Sequence, residues 1–139
     1  MPTRLEIVTP KGKAFSDEVD LVVVPGSEGE LGVLPVHASL VSALQPGELR
    51  YTKGGEEGVF AIGEGVLEVT GKTVAILSDL AIGEEEIDES AVEEAMARAE
   101  KALEEKDSDG LDPDQVAALQ LQVQKSLAQL KVKRRRKTV

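Results

Sequence analysis

Val74-Ala75-Ile76-Leu77-Ser78-Asp79-Leu80-Ala81-Ile82-Gly83-Glu84-Glu85-Glu86-Ile87-Asp88-Glu89-Ser90-Ala91-Val92-Glu93-Glu94-Ala95-Met96-Ala97-Arg98-Ala99 is the stretch whose reading decides the fold. It opens on a short β-branched and aliphatic run, Val74 to Leu77, and changes texture abruptly after Ile82-Gly83. Beyond that point Val92, Ala95, Met96, Ala99, Ala102 and Leu103 recur at three and four, the spacing of one helical stripe. Asp88 or Ser90 stands where an N-cap belongs. The chain therefore divides into a β part, residues 1–83, and a helical part, residues 84–139.

Upstream of the switch, runs such as Leu5 to Val8, Val19 to Val24, Val59 to Ile62 and Val66 to Val69 are punctuated by Pro10-Lys11-Gly12, Gly54-Gly55, Gly63-Glu64-Gly65 and Thr70-Gly71-Lys72. Short runs with turn signals at this spacing predict an antiparallel β-sandwich. Most of the 13 glycines fall here, where they disfavour helix. Val66-Leu67-Glu68-Val69 does not alternate cleanly, which predicts some strands buried on both faces.

Downstream, Lys106-Asp107-Ser108-Asp109-Gly110 breaks the first helix. Asp112-Pro113 is an N-cap and first-turn pair, and Val116, Leu119, Val123, Leu127 and Leu130 mark a second stripe. The fold class is α+β: an N-terminal antiparallel β-sandwich followed by a C-terminal antiparallel two-helix hairpin. Stripes of Ala and Val bury little apolar area at ~25 cal/mol per Å2, so the hairpin is expected to detach at modest cost.

Composition narrows the function. The 139 residues make one ordinary domain, or a small domain with an appendage. A net charge of −10 opposes general nucleic-acid binding, and Phe15, Tyr51 and Phe60 are too few and too scattered for a base-stacking platform. Without Cys there is no disulfide, thiolate metal site or Cys nucleophile, and the single His37 excludes a multi-histidine metal site. No apolar run reaches the ~18 residues of a membrane span, and Met1 to Glu6 does not read as a signal or transit sequence, so a soluble cytoplasmic protein without membrane insertion is expected. The charge is also segregated: 14 of 26 acidic residues lie between Glu84 and Asp114. Lys131, Lys133, Arg134, Arg135, Arg136 and Lys137 invert the sign, giving +6 over residues 131–139 against −16 over residues 1–130.

Val24-Pro25-Gly26-Ser27-Glu28-Gly29-Glu30-Leu31-Gly32-Val33-Leu34-Pro35-Val36-His37-Ala38 resembles the signature of the epsilon subunit of F-type ATP synthases. The order of segments around it is similar too, over about residues 3 to 132. The resemblance implies a noncatalytic subunit of the central stalk of a proton-driven synthase. Such a subunit sits peripherally at the cytoplasmic side of the bacterial inner membrane. Its partners would be the gamma subunit, the rotor ring of c subunits and, through the hairpin, the catalytic alpha/beta hexamer, where the hairpin opposes ATP hydrolysis.

Matched residue by residue, Glu28, Gly29, Glu30 and Leu31 fall in the family segment that faces the ring or gamma, with Glu30 at the position most often linked to that contact. A solvated turn residue is the competing reading of Glu30. Gly26, Gly29 and Gly32 are expected to supply backbone freedom there. His37 reads as a structural or interface histidine, because no partner motif for acid-base catalysis accompanies it; a small enzyme using it as a general base is the alternative. The family commonly has Gly at the position of Val36 and Pro at that of Ser39.

Some family members bind ATP in the hairpin through a motif in which Arg stands where this chain has Ala91. Asp88 matches the acidic position of that motif and Arg98 a second basic position farther along the first helix, so ATP binding is expected to be weak or absent and no cofactor is assigned. The basic run Lys131 to Lys137 exceeds what a helix C-terminus needs and suits an acidic surface, which the resemblance places on the catalytic subunits. A solvated end and a nucleic-acid arm are the alternatives for this tail. For the whole chain the competing function is a free-standing β-domain adaptor.

Overall fold

The computed structural model describes residues 3–33, 39–105 and 112–134. Tight turns leave each short run to pair with the strand that follows it. β1 (Thr3–Thr9) pairs with β2 (Gly12–Val19), and β3 (Leu21–Gly26) with β4 (Gly29–Val33). β6 (Gly47–Lys53) pairs with β7 (Glu56–Ile62), and β8 (Gly65–Thr70) with β9 (Thr73–Ser78). Gly54 and Gly55 take φ of +59° and +82°, the left-handed pair that a two-residue hairpin turn requires. β5 (Leu40–Leu44) and β10 (Ala81–Gly83) complete ten strands among the described residues.

The strand order is β10-β7-β6-β3-β5-β8-β9-β1-β2, with β4 on β3. Pairing between β3 and β5 shrinks to Gly26 opposite Leu44, and there the sheet folds over into two layers. One pairing departs from the antiparallel expectation: β1 runs parallel to β9, with Leu5 opposite Val74 and Ile7 opposite Ile76. A long excursion of chain separates these two strands, so nothing local dictates their direction. Leu5, Ile7, Leu49, Ile62, Leu67 and Ile76 are fully buried between the layers.

The three aromatics, scattered in sequence, meet in space. Phe15 of β2 lies 4.8 Å from Tyr51 of β6 and 5.4 Å from Phe60 of β7, ring centre to ring centre. They bring the far end of the sheet back over the β6–β7 hairpin, as partly buried packing against the core. Nearby, Lys53 hydrogen-bonds Asp17 and holds its carboxyl below the ordinary carboxylate range. That stabilisation is present at neutral pH and is lost as pH falls through the lowered value.

Two local readings are corrected. The run Val19 to Val24 is not one strand but the end of β2 and the start of β3, divided at Asp20, whose carboxylate accepts the Gly54 N–H at 3.0 Å. β8 is not buried on both faces: Leu67 and Val69 point into the core, while Val66 and Glu68 are exposed. Its period is a clean two, and Val66 is an apolar residue on the outer face.

A 3-10 turn, Glu84–Glu86, leads to α1 (Glu89–Glu105) and then α2 (Pro113–Arg134). Asp88 is the N-cap of α1, accepting the Ala91 N–H at 3.1 Å. Asp112 caps α2 by accepting the Asp114 N–H at 3.1 Å, and its own N–H donates to Gln115 Oε1 at 3.3 Å. The expected break over residues 106–110 lies outside the described residues.

The hairpin lies folded on the sandwich, with α2 against β6 and β7 and α1 against α2. Ala61 of β7, Ile87, Val92, Leu130 and Val132 form a second apolar cluster at this junction. The single stripe expected on α2 is wrong at its C-terminal half. Ser126, Ala128, Leu130 and Val132 are buried, while Leu127 is 52% exposed. At 100° per residue, Ser126 and Leu130 share one side of the helix, and Ala128 and Val132 lie nearly opposite. α2 has two inner faces because it is packed between α1 and the sheet.

Leu67→Ala removes a fully buried side chain at the centre of the sandwich. Chemical denaturation is expected to show a loss of about 2–5 kcal/mol. A loss below about 1 kcal/mol would contradict this packing.

Candidate functional site

The first candidate surface is the β3–β4 turn. Gly29 has φ of +124°, and a Cβ on Gly26 would stand 2.7 Å from the Gly29 carbonyl oxygen, so both positions need glycine. Gly32 has ordinary φ and open space, and the freedom expected of it is not used. The turn holds Glu28, Gly29 and Glu30 in solvent while Leu31 packs against the core.

Glu30 is neither isolated nor simply solvated. Arg50 Nη1 donates to Glu30 Oε2 at 3.0 Å and to Glu48 Oε1 at 3.1 Å. Glu48 is 4% exposed, so the guanidinium serves a buried carboxylate on one side and an exposed one on the other. The Glu48 hydrogen bond leads the effects that raise the Arg50 pKa, against the opposing pull of burial. Between this pair and α2 is a cleft of about 430 Å3, closed on the helix side by Gln124, Leu127, Ala128 and Lys131. His37 lies outside the described residues.

A second surface escaped the sequence reading. Strand register lines up Ala43, Val66, Leu77 and Val8 across β5, β8, β9 and β1. Val66 is 39% and Leu77 45% exposed, and Val41 on the same side of β5 is 70% exposed. This apolar row crosses the outer face of one layer, beside a row that includes Glu68 and Glu6, and α2 packs on the outer face of β6 and β7 in the other layer. The irregular pattern at Val66 was the available signal, and it pointed to an exposed apolar residue instead of double burial.

On the hairpin, Asp88 is occupied as the cap of α1. Arg98 is exposed, ten positions further along and about 15 Å away along the helix axis. The structure does not bring these two into one compact pocket. The described part of the basic run is largely engaged. Lys133 Nζ donates to the Glu84 carbonyl oxygen at 3.4 Å. Arg134 Nε donates to Glu89 Oε1 at 2.7 Å, and its Nη2 to Glu93 Oε1. Lys131 is exposed at the cleft, and Arg135, Arg136 and Lys137 lie outside the described residues. Among the described residues no three His, Cys, Asp or Glu side chains gather to hold a metal ion, and no helix is long and apolar enough to cross a membrane.

The described chain is a β-sandwich with a helical hairpin packed on one outer face and an exposed apolar row on the other. Residues 2–84 match the beta-sandwich domain of the ATP synthase delta/epsilon chain, and residues 85–134 match its long alpha-helix domain. The chain belongs to the ATP synthase delta/epsilon chain family. It is 45% identical over 108 residues to the ATP synthase epsilon chain of Herpetosiphon aurantiacus, covering 78% of this chain and 79% of that one. Against the epsilon chain of Dehalococcoides mccartyi it is 40% identical, with 96% and 94% covered. Its fold is similar to a chain of the Euglena gracilis mitochondrial ATP synthase OSCP/F1/c-ring assembly, with a TM-score of 0.73 at 24% identity over 88% of this chain and 76% of that one. A chain of the Tetrahymena thermophila mitochondrial ATP synthase central stalk and c-ring has a TM-score of 0.61 at 15% identity, with 96% and 97% covered.

Ala91 replaces the cation of the nucleotide motif, and Arg134, which the fold brings to the first turns of α1, is already paired with Glu89 and Glu93. Calorimetric titration of the full chain with ATP is expected to give a dissociation constant of about 1 mM or weaker. Ala91→Arg should tighten binding about ten-fold. Equal affinity of parent and variant would remove this position from nucleotide recognition.

Proposed function

We propose that this chain is the noncatalytic epsilon subunit of the central stalk of a proton-translocating ATP synthase. The sandwich binds gamma and the rotor ring of c subunits, with the Glu28 to Leu31 turn at the ring. The hairpin, residues 84–139, is the regulatory part and reaches the catalytic alpha/beta hexamer to oppose ATP hydrolysis. The subunit is peripheral, on the cytoplasmic side of the bacterial inner membrane. Family membership supports the complex, and the known assemblies of similar fold contain a c-ring and a central stalk.

The observation that carries this reading is the division of surfaces. The exposed row of Val66 and Leu77 is on the layer away from α2, so a partner can hold the sandwich without touching the hairpin. The hairpin is fastened mainly by one small apolar cluster and a few ion pairs, including Lys125 to Asp79. Such an element can change position when a partner or ligand prefers one state, and a full switch from 1:99 to 99:1 needs about 5.5 kcal/mol of differential binding.

Removing residues 84–139 is expected to leave the synthase assembled and to raise ATP hydrolysis by the purified complex. An unchanged rate in an intact complex would defeat the inhibitory role. Leu77→Glu places a carboxylate in the apolar row, and its co-purification with gamma should fall by more than about ten-fold. Undiminished recovery of gamma would move that interface elsewhere.

A further inference from the structure

α2 ends where the hairpin begins. Its last turn returns to the 3-10 turn and the first turn of α1, with Lys133 on the Glu84 carbonyl and Arg134 on Glu89 and Glu93. Glu89 and Glu93 are four residues apart, so their carboxylates stand one above the other on one side of α1. They present two acceptors to a single planar fork, a geometry that suits Arg and not Lys. Leu130 and Val132, just before Arg134, are in the same apolar cluster as Ile87 and Val92. The ion pairs thus close the hairpin at the point where it leaves the sandwich.

These contacts are accessible. Arg134 is 50% exposed and Glu93 49%, which makes them sensitive to salt and open to exchange for an outside carboxylate pair. Arg134 is also the first of the closely spaced arginines in the basic run. One guanidinium cannot serve two carboxylates in α1 and two on another surface at once.

We infer that Glu89 and Glu93 form an internal acceptor for Arg134, so that docking of the hairpin and presentation of Arg134 to an acidic protein surface exclude one another. The acidic partner rests on the regulatory reading above; the internal acceptor does not. Neutralising the two glutamates favours the undocked hairpin, and neutralising acidic residues elsewhere on α1 does not.

The absence of Cys allows clean labelling of the full-length chain. Glu64→Cys in the β7–β8 turn and Gln120→Cys on α2 line one groove in the docked state, so spin labels there report docking by their separation. In this background Glu89→Gln/Glu93→Gln is expected to raise the undocked fraction about three- to ten-fold at low ionic strength. That difference should shrink in about 1 M salt. Glu100→Gln/Glu104→Gln, at two exposed positions further along α1, serves as the charge-matched control and should change nothing. Arg134→Glu should undock the hairpin as the double variant does, and adding Glu89→Arg/Glu93→Arg should restore docking.

An unchanged separation in Glu89→Gln/Glu93→Gln, or an equal shift in Glu100→Gln/Glu104→Gln, would overturn the inference. In the assembled synthase the double variant should hydrolyse ATP more slowly. If the isolated chain opens but hydrolysis stays at the parent rate, the internal acceptor stands and the inhibitory reading fails.

Discussion

The arrangement depends on a helix with two inner faces. α2 must satisfy the sheet on one side and α1 on the other, and its C-terminal half does so with Ser126, Ala128, Leu130 and Val132 alternating between nearly opposite directions. Two of these are small, which lets neighbouring backbones approach closely. The same choice limits how much apolar surface the junction buries. α1 has no comparable seat on the sandwich and follows α2. Whatever dislodges α2 therefore releases the whole hairpin.

Arginine links these layers of organisation in two places. Arg50 joins the exposed Glu30 turn to buried Glu48, and Arg134 joins the end of α2 to the beginning of α1. Arg134 reaches its two carboxylates through Nε and Nη2 of the planar fork, whereas Arg50 reaches both of its carboxylates through Nη1. The pairs differ in surroundings. Glu48 is withdrawn from water, so its pairing with Arg50 is little screened. The Arg134 group is open to solvent, where pairing is weak enough to be exchanged. One is therefore suited to hold a turn in shape, and the other to let go.

The sandwich presents a similar contrast between its outer faces. On the β6–β7 layer the outward residues Val59 and Ala61 are covered by the hairpin. On the β5-β8-β9-β1 layer the outward row leaves Ala43, Val66 and Leu77 exposed and Val8 half-buried. Apolar side chains aligned across four strands form a continuous strip, which has more meaning for association than the same residues scattered singly.

Local features of the chain were legible in advance because they are decided within a few residues. Gly54-Gly55 marks a turn through its backbone freedom, Asp88 and Asp112 mark helix starts through their capping oxygens, and the change of period after Ile82-Gly83 separates strand from helix. The turn holding Glu30 and the basic run at the C-terminus were likewise visible as residues. Their partners were not, because Arg50 is twenty positions from Glu30 and Arg134 is over forty from Glu89 and Glu93. The two-sided burial of α2, the parallel β1–β9 pair and the exposure of Val66 belong to the same class. A periodicity distinguishes one side of an element from the other, but only the packing of distant segments determines how many sides are covered, and by what.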